Sequence, residues 1–206
     1  MVLRSFKPLV FTLCLLPLVW LLWKWTGVLG LTGGGGLGAN PIEATNRFLG
    51  DWALRFLLIG LAVTPLRLLT GQARVMRYRR MLGLFAFFYA GLHLASYVVL
   101  DQFFDWAEIW ADISERLYIT LGMAAFLLLL PLALTSSAGM IKRLGAARWK
   151  RLHLLVYPAA VLAVIHYFLM IKADYTQPLL YACILALLFG LRGIGRGHHA
   201  RGRGHP

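Results

Sequence analysis

Long apolar runs separated by short charged ones set the pattern of this chain. Six runs are long enough to matter, near residues 8–25, 52–69, 81–100, 117–134, 152–171 and 175–191. Each approaches the ~20 apolar residues that an α-helix needs to cross a bilayer. The pattern predicts an all-α fold, a polytopic membrane bundle of six transmembrane helices. The first run follows Arg4 and Lys7 as a signal peptide would, but it continues to Trp25. That exceeds the ~7–15 residues of a cleaved apolar region, so a retained helix is expected. Three regions follow: an N-terminal helix and Gly-rich outer loop over 1–39, a membrane core over 40–191, and a tail over 192–206. The tail, RGIGRGHHARGRGHP, has no apolar periodicity and is expected to be disordered.

Composition changes the picture only through where the charges lie. The chain has 206 residues, 60% hydrophobic, with a formal net charge of +13. In a soluble protein that excess would suggest nucleic acid; here the charges flank apolar runs, so the bilayer is the expected surroundings and no nucleic acid is. One side holds Arg4 and Lys7, then Arg67, Arg74, Arg77, Arg79 and Arg80, then Lys142, Arg143, Arg148, Lys150 and Arg151, then Arg192, Arg196, Arg201 and Arg203. These are 16 of the 21 basic residues. All eight acids lie in or beside the other loops: Glu43, Asp51, Asp101, Asp105, Glu108, Asp112, Glu115 and Asp174. The positive-inside rule then puts both termini in the cytoplasm. Cys14 and Cys183 sit inside apolar runs, and no disulfide is expected.

The acidic loop DQFFDWAEIWADISER interleaves aromatics with carboxylates. At helical spacing Phe104, Trp106, Ile109, Trp110 and Ile113 would lie flat on the membrane. A plain interfacial aromatic belt reads the same way. Asp105, Glu108 and Asp112 would then offer a negative docking surface to an external partner.

The candidate chemistry is three histidines inside two of the runs. His93 lies in the third run; His153 and His166 lie in the fifth. An imidazole in hydrocarbon is costly and marks a functional site by default. Neither run offers Cys, Asp or Glu beside the rings to complete a zinc site. Axial ligation of haem iron fits better. The two runs start on the same side and are parallel, and counting depth pairs His93 with His166. His153 and His166 fall roughly 20 Å apart along the axis and roughly 140° apart around a straight helix. Pro158 lies between them, where a kink would change that angle.

The runs RRMLGLFAFFYAGLH (79–93) and RWKRLHLLVYPAAVLAVIHY (148–167), with TPLR (64–67), resemble the MsrQ (YedZ) family. This is the haem-binding membrane subunit of the bacterial periplasmic methionine-sulfoxide reductase system, in the ferric reductase-like transmembrane superfamily. The resemblance covers roughly residues 40–191. It implies haem b, one or two, held by His93, His153 and His166, in the bacterial inner membrane. Order along the helices would pair His93 with His153, unlike the depth count. The related oxidases carry a second histidine on the third span about 14 residues on; Ala107 stands there, so a second haem would rest on one histidine. The resemblance also implies FMN, the quinone pool or a cytosolic flavin reductase as donor. It implies a periplasmic molybdopterin-containing methionine-sulfoxide reductase subunit as acceptor. Arg79, Arg80, Arg148, Lys150 and Arg151 cluster where the haem helices begin and are candidates for haem-propionate or flavin contacts. Two other readings stay open: a stand-alone transmembrane cytochrome or ferric reductase, and a transporter, hinted at by Arg55 and the Thr64–Pro65 pair.

Overall fold

A computed structural model describes residues 6–32 and 36–201, with side chains through residue 193. All regular elements in it are helical. The helices are α1 (Phe6–Val28), α2 (Pro41–Thr70), α3 (Met76–Ser96), α4 (Trp106–Glu115), α5 (Leu117–Leu134), α6 (Ala138–Leu144), α7 (Ala146–Leu152), α8 (Val156–Met170) and α9 (Thr176–Arg201). Six stretches have the length and apolarity to span a bilayer: Phe6–Val28, Pro41–Thr70, Ala73–Asp101, Leu117–Leu134, Ala146–Met170 and Thr176–Gly193. The six expected runs are all there, several of them longer than the apolar pattern suggested. Of the Gly-rich stretch 33–36, residues 33–35 lie outside the described residues, as do His205 and the end of the tail. The helix α9 runs on to Arg201, past the point where disorder was expected. Extending a helix already nucleated needs only one more bond per residue fixed.

Local chemistry explains the boundaries. Asn40 caps α2, its side chain accepting the Glu43 N–H at 3.1 Å, and Pro41 occupies the first turn. Gly71 ends α2 at φ +69°, a left-handed turn that glycine adopts without cost. The span containing α3 opens with a 3-10 turn, Ala73–Val75, and closes with a π turn, Tyr97–Asp101. In the fifth span a 3-10 turn, His153–Leu155, separates α7 from α8. Pro158 accounts for it: its ring crowds the carbonyl of residue 154 and it has no N–H to offer that carbonyl.

Two prolines inside helices are accommodated by side chains from neighbouring helices. Pro65 is buried in α2, and the helix continues past it to Thr70. The carbonyl it leaves without a partner is that of Leu61, and the Arg192 side chain of α9 donates to that carbonyl. The Arg192 guanidinium also sits 5.2 Å from the centre of the Tyr157 ring. The Thr64–Pro65 pair is therefore no break. In α1, Pro17 interrupts the ladder, and the Tyr89 hydroxyl of α3 enters the adjoining rung. That hydroxyl donates to Cys14 O at 2.9 Å and accepts from Leu18 N at 3.1 Å. Tyr89 is fully buried, so α1 is fixed to the bundle by a satisfied polar contact.

The core is built from two helix pairs, α2 with α3 and α5 with α8, with α9 against α2 and α8. Phe56, Phe85 and Tyr89 stack at the heart of the first pair. Outward faces carry leucine and tryptophan, as at Leu13, Leu22, Trp23 and Leu127, each more than half exposed. Such an exterior is stable against hydrocarbon, where every backbone group is already satisfied within its helix.

Candidate functional site

Each of the two helix pairs delivers one imidazole to a shared cavity. On the first pair, His93 of α3 has its Nδ1 2.9 Å from Asn46 O of α2. On the second, His166 of α8 has its Nδ1 2.6 Å from Tyr118 O of α5. A carbonyl only accepts, so each Nδ1 carries the hydrogen and each Nε2 keeps its lone pair. Four residues past each carbonyl stands a glycine against the ring. A Cβ at Gly50 would come within 3.1 Å of His93, and one at Gly122 within 2.8 Å of His166. The two constructions are near copies, with sequence separations of 47 and 48 between ring and carbonyl.

The rings face one another with centroids 6.2 Å apart and planes at 71°. Two imidazoles on opposite sides of one metal ion, each with a metal–nitrogen bond of about 2 Å, put their centroids about 6 Å apart. The cavity between them has a volume of about 380 Å³. Its walls are mostly apolar: Leu54 and Leu57 of α2, Ala86 and Ala90 of α3, Phe126 and Leu129 of α5. Among the described residues no three His, Cys, Asp or Glu side chains gather as a metal cluster. A pair of neutral imidazoles across an apolar slot is the donor set of a six-coordinate haem, and the residues present fit that group.

The other expected site residues fall elsewhere. His153 is not in this cavity. It stacks on Trp149, centroids 4.0 Å apart, with Nε2 3.3 Å from Thr135 Oγ1. The Thr135 hydroxyl already donates to Pro131 O at 2.6 Å, which leaves His153 Nε2–H to donate in this contact and the ring's lone pair on Nδ1. The structure thus brings His93 and His166 together, as depth counting expected, and leaves His153 apart. Arg79, Arg80, Arg148, Lys150 and Arg151 do not line the cavity either. Arg79 lies close enough to His153 for its charge to act there. The basic side chains that do line the cavity are Arg47 and Arg116, at the end where the acids lie.

The acidic loop is only partly the surface the sequence suggested. Asp105 and Glu108 are exposed, and Asp105 caps α4 by accepting the N–H groups of Ala107 and Glu108 at 3.1 Å. Asp112 is buried, at 3% exposure. It accepts from Tyr97 Oη at 2.7 Å and Gln102 Nε2 at 2.9 Å, and pairs with Arg116 Nε at 3.0 Å. Asp112 is therefore a clamp holding α4 to the π turn that follows α3, and not part of a docking face. Trp106, Ile109, Trp110 and Ile113 share one side of α4 and border an apolar hollow with Leu94 and Met123. Arg55, the mid-depth charge, donates from Nε to Tyr181 Oη at 2.9 Å, faces Asp51 at 3.5 Å and stacks on Trp52. That charge is paired inside the bundle.

Sequence reasoning passed over Asn46, Tyr118, Gly50 and Gly122. The two carbonyls belong to the backbone, which no search of side-chain types can find. The only signal is the Leu–Gly step at 49–50 and again at 121–122.

Comparison with known proteins gives the chain its family. The family model described as "Ferric reductase like transmembrane component" matches residues 49–164, a stretch that contains His93 and ends just before His166. A protein of Rhodospirillum rubrum named "Protein-methionine-sulfoxide reductase heme-binding subunit MsrQ" is 61% identical over 183 residues, covering 89% of this chain and 85% of its own length. The chain belongs to the MsrQ family. Proteins of the same name from Caulobacter vibrioides and Xanthomonas euvesicatoria are 48% and 51% identical, over 87% and 90% of this chain and 82% and 84% of their own. The MsrQ matches thus reach well beyond the two helix pairs.

Proposed function

We propose that this protein is the haem b electron-transfer subunit of a methionine-sulfoxide reductase system. In this reading it carries electrons from the cytoplasmic or quinone side of the bacterial inner membrane to a periplasmic molybdopterin-containing subunit. That subunit repairs oxidised periplasmic proteins. The observation that carries the proposal is the opposed pair His93 and His166, each ring held through Nδ1 by a backbone carbonyl. The names of the MsrQ relatives support it.

The chain's own part in the chemistry is positioning. His93 and His166 present their Nε2 lone pairs to the cavity, and the carbonyls of Asn46 and Tyr118 fix ring orientation and raise ligand basicity. Gly50 and Gly122 leave the rings the room they occupy. Apolar walls keep water out, which sets the potential of the site. A haem held there supplies a one-electron carrier. The imidazoles need gain or lose no proton as an electron passes, because their Nδ1 hydrogens stay in the carbonyl bonds. The basic end, with Arg79, Arg80, Arg148, Lys150 and Arg151, is the proposed side of electron entry, where a quinone, a flavin such as FMN or a flavin reductase would act. His153, at the same end, lies on the proposed path, outside the cavity that His93 and His166 share.

The test begins with purified protein. A Soret band with one haem per chain is expected, and both His93→Ala and His166→Ala should lose most of it. Full pigment in either variant would refute the pairing. Dithionite-reduced haem should then reoxidise on addition of the periplasmic reductase subunit with a methionine sulfoxide. Reoxidation by ferric chelates alone would make the protein a ferric reductase instead.

A further inference from the structure

The cavity has one polar end, and its cations come in a pattern that the haem reading leaves unexplained. Its lining includes Arg47 and Arg116 but none of the arginines and lysines clustered at the opposite end. Arg47 follows Asn46, whose carbonyl holds His93; Arg116 stands two residues before Tyr118, whose carbonyl holds His166. Each imidazole is thus tied through the backbone to one arginine, on separate helix pairs. Each guanidinium already has one carboxylate: Arg47 is 2.7 Å from Glu43, and Arg116 is 3.0 Å from Asp112. A guanidinium has five N–H donors, and one such pair engages only part of them. An arginine guanidinium keeps its proton in proteins, and Tyr118 and the Asp112 carboxylate push that of Arg116 further the same way.

A haem b brings two propionate carboxylates, and an unpaired carboxylate against an apolar wall is strongly disfavoured. Glu43, Asp51 and Asp101 share this end of the cavity and would repel a propionate that had no cation beside it. Building on the haem reading above, we propose that Arg47 and Arg116 hold the two haem propionates, so that the propionate edge faces the acid-bearing end of the bundle. Charge-assisted, bidentate contacts from arginine suit a carboxylate better than the point charge of lysine.

The experiment measures the rate at which purified, haem-loaded protein gives up haem to excess apomyoglobin, followed by the Soret shift. Arg47→Gln and Arg116→Gln should each speed the loss roughly tenfold, which corresponds to about 1.4 kcal/mol. The double variant should be faster still, and its midpoint potential lower, because the unpaired propionate charge disfavours the reduced haem. Arg47→Lys and Arg116→Lys should recover part of the retention. The pair Arg80→Gln with Arg151→Gln should leave the rate unchanged. Asp112→Asn keeps Arg116 but cuts its tie to α4, and should retain haem nearly as the wild type does. A wild-type loss rate in the double variant overturns the proposal. So does faster loss in the Arg80/Arg151 pair, or an Asp112→Asn rate equal to that of Arg116→Gln. A wild type without haem, or full haem in His93→Ala, refutes the underlying haem reading instead.

Discussion

At the scale of single residues, the site depends on two absences of a side chain. At Gly122 an added Cβ would lie 2.8 Å from His166 Nδ1, closer than real contacts allow, and at Gly50 the clearance is 3.1 Å from His93. Gly122→Ala should therefore push His166 off its carbonyl and cut haem content several-fold, and Gly50→Ala should do so less. Haem per chain by pyridine haemochrome, beside a thermal melt, checks both; equal content in the two variants would show that the rings adjust freely. His153 gives a contrasting expectation. Its Nε2–H is committed to Thr135 and its ring to Trp149, so His153→Ala should leave the low-spin spectrum of the His93–His166 pair in place. Loss of that spectrum would mean that His153, and not His166, faces His93.

At the scale of elements, the helices are held by contacts that repair one another's defects. Pro65 orphans Leu61 O in α2, and Arg192 of α9 supplies the donor. Arg192→Met should destabilise the bundle by about 1–3 kcal/mol, the cost of leaving a buried acceptor unsatisfied. Pro65→Ala restores an N–H to that same carbonyl, so in the double variant most of the loss should return. Melting temperatures of the two singles and the double form a cycle, and purely additive effects would refute the link. The same logic applies to α1, where Tyr89→Phe removes the hydroxyl that Leu18 N and Cys14 O share. Limited proteolysis in the 28–40 loop should then speed up as α1 loosens.

At the scale of the whole molecule, charge separates the two ends of the bundle, and the proposed electron path runs from the basic end to the acidic one. Asp105 and Glu108 are exposed there beside Trp106 and Trp110, which are 66% and 72% exposed. Reversing both charges should slow reoxidation of the haem by the partner subunit at low ionic strength and matter little at high salt. Asp112→Asn should act by another route, through the seat of α4, with no such salt dependence. A rate indifferent to salt and to Asp105 and Glu108 would move docking to another loop. Topology has its own check: a reporter fused after residue 206 should be active in its cytoplasmic form only.

Much of this was legible in the chain itself. Whether a helix can cross a bilayer depends on the length of an apolar run, a property of one dimension, so all six spans could be read directly. The charge asymmetry is likewise a matter of counting, and the cost of imidazole in hydrocarbon singled out His93, His153 and His166. Which rings meet could not be settled so simply. Depth counting and order along the helices gave different partners for His93, and the fold brings it to His166. A 3-10 turn ahead of Pro158 separates α7 from α8, and the packing of α5 against α8 decides what His166 faces. Burial was equally hidden: Asp112 reads as one more acid on an exposed loop until Tyr97, Gln102 and Arg116 close around it. The carbonyls of Asn46 and Tyr118 had no sequence signature, because every residue has one. Only the tertiary structure chooses which backbone oxygen an imidazole meets.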